Sequence, residues 1–531
     1  MRRYSPFLMI LCLAIGVLIG TFYTNYRIAG RLSIINMGSN KINYLLQMID
    51  NGYVDTVSTA NLVEEAIPLI LSQLDPHSAY IPASDAQDAN DELRGSFSGI
   101  GVSFKIIKDT IVVMSVIKGG PAEKVGLMSG DRIVHIDSML YVGQDVVTDT
   151  GAIHRLKGPK DSHVRLGVKR IGEKKELSFN IVRGDIPVQS IDCSYIIPDT
   201  KTGYLHIKNF GETTYFEMLT SMAAFNANGM KSLIIDLRGN RGGYMETAIK
   251  MANEFLPEDQ LIVYTAGRKM EREDFMSNGH GSFTSLPLVV LIDEMSASAS
   301  EIFAGAMQDN DRAMVIGRRS FGKGLVQQPM EFRDGSQVRL TVARYYTPAG
   351  RCIQKPYAAG HGEEYENELL QRYERGEFYS QDSIRQDGPE YKTLGGRTVY
   401  GGGGIMPDIF VPEDTTNITS YFREAVFRGL TTQFAFHYCD TRRPILRLCN
   451  DVDDVLKVVK RDNVMSRFAT YAAEHGLQHR PLMMQRSQTL FEHHIYGAII
   501  YDILDGDAYQ QYRNRDDITI KRALEELCSH D

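Results

Sequence analysis

The sequence is poor in cysteine, which limits the redox and metal chemistry expected of it. Six cysteines are spread over 531 residues, none forms a CxxC pair, and no histidines lie at zinc-finger spacing. These absences argue against a disulfide framework and a zinc site, and the sequence indicates no metal and no cofactor. Cys439 and Cys449 are close enough along the chain to pair; the alternative is that both are free thiols.

An excess of basic residues is also missing. The formal net charge is −8, whereas proteins that bind nucleic acid usually carry a basic surface, so nucleic acid is not an expected partner. Apolar residues make up 43% and charged residues 23% of the chain, the balance of an ordinary globular protein. At roughly 100–200 residues per domain, this length suggests about three or four domains.

The N-terminus has the pattern of an export signal. Arg2 and Arg3 precede an apolar run from Phe7 to Tyr23. This run is at the lower limit of a membrane span, roughly 17–25 residues, and exceeds the usual signal-peptide core of about 7–15. We therefore expect residues 1–30 to form an uncleaved anchor, with the arginines inside and the rest of the chain translocated. A cleaved signal peptide is the alternative.

The hydrophobic pattern changes several times along the rest of the chain. Helical periodicity comes first, then short strands with two short helices, then alternating strands and helices that indicate a layered α/β domain. A polar stretch rich in Tyr, Glu, Gln and Gly is predicted to be a surface insertion, and the C-terminal part reads as mostly helical. The predicted boundaries are 31–94, 95–184, 185–356, 357–396, 397–412 and 413–531.

A candidate nucleophile lies in the segment Asp293 to Glu301, where a buried strand is followed by a helix. The backbone N–H groups at a helix start favour anions, including the oxyanion of an acyl-transfer intermediate. Ser298 stands at this turn. Ser298 followed by Glu301 also fits a capping box, which is a purely structural role.

A serine nucleophile needs a base, and the sequence has no GxSxG elbow and no histidine or aspartate in a triad context. Lys323, in the segment Arg319 to Gly324, could serve if burial keeps its amine neutral; a surface-loop lysine is the alternative. A third segment, Asp236 to Gly243, is a buried strand followed by a glycine-rich turn whose backbone can approach a substrate closely. A plain tight turn is the alternative.

Together these segments resemble the carboxy-terminal processing peptidases, the PDZ-containing S41 serine peptidases. RGNxGG, SASASE and FGKG occur in the family's order, and the separation of Ser298 and Lys323 along the chain matches the family's spacing. The resemblance covers roughly residues 40–412. It implies a serine–lysine dyad, a glutamine that assists the lysine and backbone oxyanion donors: Ser298, Lys323, Gln327 (with Gln328 as its neighbour), Ala299, and Gly242 or Gly243.

Residues 95–184 resemble a PDZ domain. The segment Ser98 to Val102 looks like its carboxylate loop, in which the amides of Gly99, Ile100, Gly101 and Val102 would hold a peptide's terminal carboxylate while the next strand pairs with the peptide. Lys157 stands where the family usually has an arginine, which in some members couples peptide binding to activation. Lysine keeps the charge but loses the bidentate fork.

The resemblance implies an α+β multidomain fold with a ββα crotonase/ClpP-like peptidase core, an inserted PDZ-like β domain and helical N- and C-terminal regions. It implies an endopeptidase of the cell envelope that faces the periplasm or exterior and cleaves exported proteins near accessible C-termini. The other hypotheses are a membrane-anchored PDZ scaffold with an inactive peptidase domain and an acyl-CoA-handling enzyme. A homo-oligomer formed through residues 413–531 is a further expectation.

Overall fold

A computed structural model describes residues 16, 41–107, 109–143, 146–386 and 388–528. The chain divides into two units, residues 1–74 and 75–531. The first contains helices α1 (Lys41–Gly52) and α2 (Thr59–Leu71). Gly52 ends α1, and Pro68 lies inside α2, where it removes a single backbone donor.

The predicted anchor, residues 1–30, lies outside the described residues except for Gly16. Within the described ranges, no helix combines the length and the apolar character that a membrane crossing requires.

The second unit begins with a short strand and a helix that lead into a β module. The elements in chain order are β1 (Ala79–Ile81), α3 (Ala83–Arg94), β2 (Ser96–Gly99), β3 (Val102–Ile107), β4 (Thr110–Val116), α4 (Pro121–Lys124), β5 (Arg132–Ile136), β6 (Met139–Leu140), α5 (Asp149–Leu156), β7 (His163–Lys169), β8 (Leu177–Val182) and β9 (Gly184–Pro187). Strands β3, β4, β5, β7 and β8 form one sheet in that order, which leaves β3 at an edge. Strand β2 pairs with β9.

The next segment builds the layered α/β part. Its elements are β10 (Ile191–Ile196), β11 (Thr202–Ile207), α6 (Thr214–Ala227), β12 (Ser232–Asp236), α7 (Met245–Asn253), β13 (Leu261–Ala266), β14 (Glu273–Met276), β15 (Leu288–Ile292), α8 (Ala299–Asp309) and β16 (Met314–Gly317). All five residues of β15 are buried, because helices cover both faces of this sheet. Apolar side chains of α6, α7 and α8 pack on one face.

Parallel pairing brings the three motif segments to one edge of this sheet. Strands β11, β12, β15 and β16 pair in parallel; Asp236 lies opposite Leu291, and Ile292 lies opposite Gly317. The carboxyl ends of β12, β15 and β16 therefore emerge side by side. The glycine turn, the serine turn and the lysine segment follow these three ends.

A second sheet carries the residues after the lysine. Its strands are β17 (Leu325–Glu331) and β18 (Gln337–Tyr346), together with β1, β13 and β14. Gln327 pairs with Thr341 across this hairpin, next to an irregularity at Val326. The following elements are α9 (Gly362–Glu374), a 3₁₀ turn (Gln381–Ser383), β19 (Glu390–Lys392), β20 (Thr398–Tyr400) and β21 (Ile409–Phe410), which pairs with β16.

The predicted surface insertion, residues 357–396, is not confined to the surface. Tyr365 and Arg372 of α9 are buried, at 4% and 1% exposure. Arg372 Nη1 and Nη2 donate to the carbonyls of Ser320 and Arg319, at 3.0 and 2.7 Å. The polar composition of the segment gave no sign that these two side chains are buried.

The C-terminal helices form a separate apolar core of their own, apart from the last helix. They are α10 (Ser420–Phe427), α11 (Leu430–Leu446), α12 (Val452–Arg461), α13 (Val464–Glu474), α14 (Pro481–Arg486), α15 (Gln488–Ile503), α16 (Gly506–Asn514) and α17 (Ile518–Cys528). Helix α17 packs instead on the second face of the α/β sheet, through Ile520, Ala523 and Leu527. Cys439 and Cys449 are both free thiols, so the disulfide considered from the sequence does not form.

Candidate active site

Ser298 occupies the sharp turn between β15 and α8. Its backbone has φ 56° and ψ −115°, a region that non-glycine residues rarely adopt and that costs of order 1–3 kcal/mol. Two buried hydroxyl groups fix this turn to the glycine-rich segment. The hydroxyl of Ser296 donates to the carbonyl of Leu237 at 2.8 Å, and the hydroxyl of Ser300 donates to the carbonyl of Asn240 at 2.9 Å. Ser298 itself is only partly buried, so of the three alternating serines it alone is available to a substrate.

Two successive hydrogen bonds orient the side chain of Lys323. Its Nζ donates to Gln327 Oε1 at 3.1 Å, and Gln327 Nε2 donates to the carbonyl of His77 at 2.7 Å. The neighbour Gln328 is exposed. Burial, followed by the positive charge of Arg339, lowers the pKa of Lys323 below its ordinary value. This environment favours the neutral amine that a general base requires.

One carboxylate joins the serine turn to the lysine segment. Glu301 Oε2 accepts the backbone N–H of Ser298 at 2.8 Å and that of Lys323 at 2.9 Å. Glu301 Oε1 accepts the N–H of Gly322 at 2.7 Å and the hydroxyl of Ser320. Because all four partners are donors, the ionised carboxylate satisfies them all. Burial nevertheless raises the pKa of Glu301 to about 7.

A tyrosine makes a second connection between the same two residues. The Tyr345 hydroxyl contacts the carbonyl oxygen of Ser298 at 3.1 Å and that of Lys323 more closely. Tyr345 is 2% exposed, so water does not compete for these contacts. The side chains of Glu301 and Tyr345 therefore fix the backbones of Ser298 and Lys323 relative to each other.

The glycine turn packs directly against Ser298. A Cβ on Gly242 would lie 2.7 Å from the Ser298 Cβ, and one on Gly243 would overlap the Phe210 carbonyl, so both positions require glycine. The Gly242 N–H already donates to Asn240 Oδ1 at 2.8 Å. The amides of Ala299 and Gly243 donate to no other described residue, so both are free to donate to a bound group.

The predicted peptide-binding loop lies in the β module, apart from the serine and lysine. Gly99 ends β2 and Val102 begins β3, while the carbonyls of Ile100 and Gly101 accept the N–H groups of Ala122 and Ile117. Lys157 does not point to open space. Its Nζ donates to Asp88 of α3 at 2.8 Å and lies 4.7 Å from the centre of the Phe97 ring.

Family models match three segments of the chain. Residues 201–361 match peptidase family S41, residues 98–181 match the PDZ domain, and residues 421–505 match a family of unknown function, DUF8443. The S41 segment contains the glycine turn, Ser298, Lys323 and Gln327, and the PDZ segment contains the loop from Ser98 to Val102.

Curated relatives extend the similarity over both segments. The chain is 35% identical over 319 residues to the carboxy-terminal processing protease CtpB of Bacillus subtilis, covering 60% of this chain and 65% of that protein. It is 32% identical over 363 residues to CtpA of the same organism, covering 67% of this chain and 76% of that protein. The chain belongs to the carboxy-terminal processing proteases. Among solved structures, it resembles a photosystem II D1 C-terminal processing protease, with 24% identity, a TM-score of 0.35, and coverage of 69% of this chain and 91% of that one.

Four residues of this carboxy-terminal processing protease site were not predicted from the sequence. The sequence explains Glu301 as part of a helix-capping box, and it assigns no separate role to Tyr345. His77 contributes its carbonyl to Gln327, and its ring Nε2 lies 2.8 Å from the Tyr365 hydroxyl on α9. The motif Asp75-Pro76-His77-Ser78 was the one available signal for His77, and nothing in the polar segment around Tyr365 indicated a role.

A Glu301→Gln variant of this carboxy-terminal processing protease is expected to lose turnover without losing substrate binding. In glutamine, one carboxylate oxygen is replaced by an NH₂ group. This group would face the hydrogen-bond donors that the oxygen accepted, and their repulsion would separate the Ser298 and Lys323 backbones. We expect kcat to fall by about 10- to 100-fold, the size of effect that misplacing a catalytic group by about 1 Å produces, with KM within about twofold. Steady-state kinetics on an unfolded protein substrate measure both.

The pH profile separates this role of Glu301 from a merely structural one. Since the carboxylate is the form that accepts all four donors, activity in the unsubstituted protein should rise as pH passes through about 7, the pKa of Glu301. Glu301→Gln should lack that step. An unchanged profile in a folded Glu301→Gln protein would show that Glu301 does not position the dyad.

Proposed function

We propose that the chain is a serine endopeptidase that cleaves proteins near their C-termini through a Ser298–Lys323 dyad. Neutral Lys323 takes the hydroxyl proton of Ser298, whose oxygen attacks the peptide carbonyl. The amides of Ala299 and Gly243 stabilise the oxyanion, and the lysine returns the proton to the leaving amine. Water then attacks the acyl-enzyme as Lys323 takes its proton, and the lysine passes that proton to the Ser298 oxygen as the new C-terminus is released.

The observation that carries this proposal is the double connection between Ser298 and Lys323. Glu301 accepts the backbone N–H groups of both Ser298 and Lys323. A serine that only caps a helix does not need a fixed position relative to a lysine on another segment. The lowered pKa of Lys323 also supports the active form over an inactive peptidase domain, since a surface-loop lysine would stay protonated at neutral pH.

The rest of the proposal concerns organisation and location. We assign residues 95–184 as a PDZ-like domain that holds substrate C-termini, and residues 185–356 with 397–412 as a peptidase core of the crotonase/ClpP-like ββα type. Residues 1–30 would anchor the protein so that its catalytic part faces the periplasm or exterior, and exported proteins would be its substrates. Assembly through residues 413–531 into a homo-oligomer completes the proposal.

A covalent serine probe tests the dyad directly. The full chain treated with a fluorophosphonate is expected to gain one adduct, which peptide mapping by mass spectrometry should assign to Ser298. Neither Ser296 nor Ser300, which lie on the same peptide, should react, because both hydroxyls are buried donors. Heat-denatured protein is the control and should stay unlabelled.

Labelling at Ser296 or Ser300 would contradict the assignment of the nucleophile. A folded protein that stays unlabelled while still binding peptide C-termini would instead support a PDZ scaffold with an inactive peptidase domain.

A further inference from the structure

The C-terminal helices form one wall of a cavity whose other wall is the PDZ-like module. Its volume is about 630 Å³. Ser103 and Lys105 of β3 line one side, and His493, His494 and Arg513 of α15 and α16 line the other. Nothing in the family resemblance accounts for this cavity, because the helices that complete it lie beyond the segments that match peptidase family S41 and the PDZ domain.

Buried charges fix the two walls to each other. Arg132 of β5 pairs with Asp440 of α11, whose side chain is 7% exposed. Asp502 of α15 accepts from Arg443 Nη2 at 2.9 Å and from the Ser129 hydroxyl at 3.1 Å. Removing either partner would leave a buried charge uncompensated, so the helical wall is a fixed neighbour of the module.

Strand β3 presents opposite faces to the module core and to the cavity. Val102, Phe104 and Ile106 pack on the core of the module, whereas Ser103 and Lys105 line the cavity. Because β3 is an edge strand, a peptide can pair with its free edge while the loop from Ser98 to Val102 holds the terminal carboxylate. Side chains of an added strand alternate in the same way. When the C-terminal side chain of the peptide faces the apolar core of the module, the side chains at its second and fourth positions from the end face the cavity.

Two basic side chains that line the cavity have no carboxylate partner in the part of the chain that the structure describes. Lys105 and Arg513 are exposed and form no salt bridge with another described residue. His493 lies 3.2 Å from Asp516, and Asp502 is already paired with Arg443. Burial, followed by the charges of Arg513 and His493, lowers the pKa of His494, so this ring is mostly uncharged at neutral pH and the excess charge comes from Lys105 and Arg513.

We propose that this cavity is a specificity subsite that takes acidic side chains at the second and fourth positions from the C-terminus of a bound peptide. The helical region from α11 to α16 thus takes part in substrate selection. The inference rests on the proposed function, because it requires that the PDZ-like module holds peptide C-termini.

The test measures binding of fluorescent octapeptides to the full chain carrying Ser298→Ala, which prevents cleavage. Two peptides share one sequence except for Glu or Lys at the second and fourth positions from the end, and a third has the Glu sequence with an amidated C-terminus. Exposed ion pairs are individually weak, so with two of them we expect the Glu peptide to bind about 3- to 10-fold more tightly than the Lys peptide. The amidated peptide should bind much more weakly than its free-acid counterpart.

Charge reversal in the cavity supplies the decisive comparison. The double substitution Lys105→Glu and Arg513→Glu should reverse the preference, so that the Lys peptide binds more tightly. Lys174→Glu is the matched control: it reverses one exposed charge in the same module, away from the cavity lining, and should keep the preference for Glu.

Two results would overturn the subsite, and they can be told apart. Equal binding of the Glu and Lys peptides, with the double variant behaving like Lys174→Glu, would remove the subsite and leave peptide capture intact. Failure of every free-acid peptide to bind would remove both the subsite and the role of the module. Neither result affects labelling of Ser298, which tests the dyad independently.

Discussion

Replacing Ser298 with alanine is expected to lower kcat/KM on an unfolded protein substrate by at least about 10⁴-fold, the scale seen when a serine peptidase loses its nucleophile. No acyl-enzyme can form without the hydroxyl. The oxyanion donors and the substrate-binding surfaces remain, so a small residual rate above that of water is compatible with this result. Cleavage followed by gel electrophoresis and by mass spectrometry of the products measures the loss.

The control for this experiment is Ser285→Ala, the same substitution at an exposed serine shortly before β15. It should cleave at the rate of the unsubstituted protein. Circular dichroism must show that the Ser298→Ala protein is folded. Substantial cleavage by that folded protein would remove Ser298 as the nucleophile.

Replacing Lys323 with methionine is expected to lower kcat by about 10²- to 10⁴-fold, the usual contribution of a general base. Methionine preserves most of the side-chain volume and removes the amine. Lys323→Arg is the matched variant: it keeps a positive charge but stays protonated at every working pH. Both variants should be comparably inactive, and recovery of activity in Lys323→Arg would mean that charge rather than proton transfer is required.

The pH dependence follows from the direction of the pKa shift. The base is the neutral amine, so activity should rise with pH as Lys323 loses its proton. Because burial and Arg339 lower the pKa of Lys323, the midpoint should lie below 10.5, the ordinary value for lysine. This rise should be absent from the residual activity of Lys323→Met. A midpoint at or above 10.5 would contradict the assignment.

The sequence predicted the parts of the site that depend on local motifs. The family resemblance selects Ser298 and Lys323 as the predicted dyad, and the parallel strands bring their two turns together, as the α/β pattern indicated. The sequence could not show which of Gly242 and Gly243 has a free backbone amide. That depends on a tertiary contact, in which the Gly242 N–H donates to Asn240. Nor could it assign Glu301 as a connection, because a glutamate three residues after a serine is already explained by helix capping.

Long-range charge pairs were beyond sequence-based prediction for a different reason. Arg132 and Asp440 are separated by 308 residues, and neither belongs to a local pattern that identifies its partner. The buried Arg372 likewise lies in a segment whose composition is typical of exposed loops. In both cases tertiary packing decides which charged side chains are buried, and hydrophobic periodicity in the sequence does not reveal them.

Helix α17 has a consequence for the sheet that carries the candidate site. Its apolar side chains cover strands β12, β15 and β16 from behind, and Asp517, just before it, pairs with Arg238 at 2.8 Å beside the glycine turn. The strands and this helix are far apart along the chain, so the apolar backing of the candidate site comes from a distant segment.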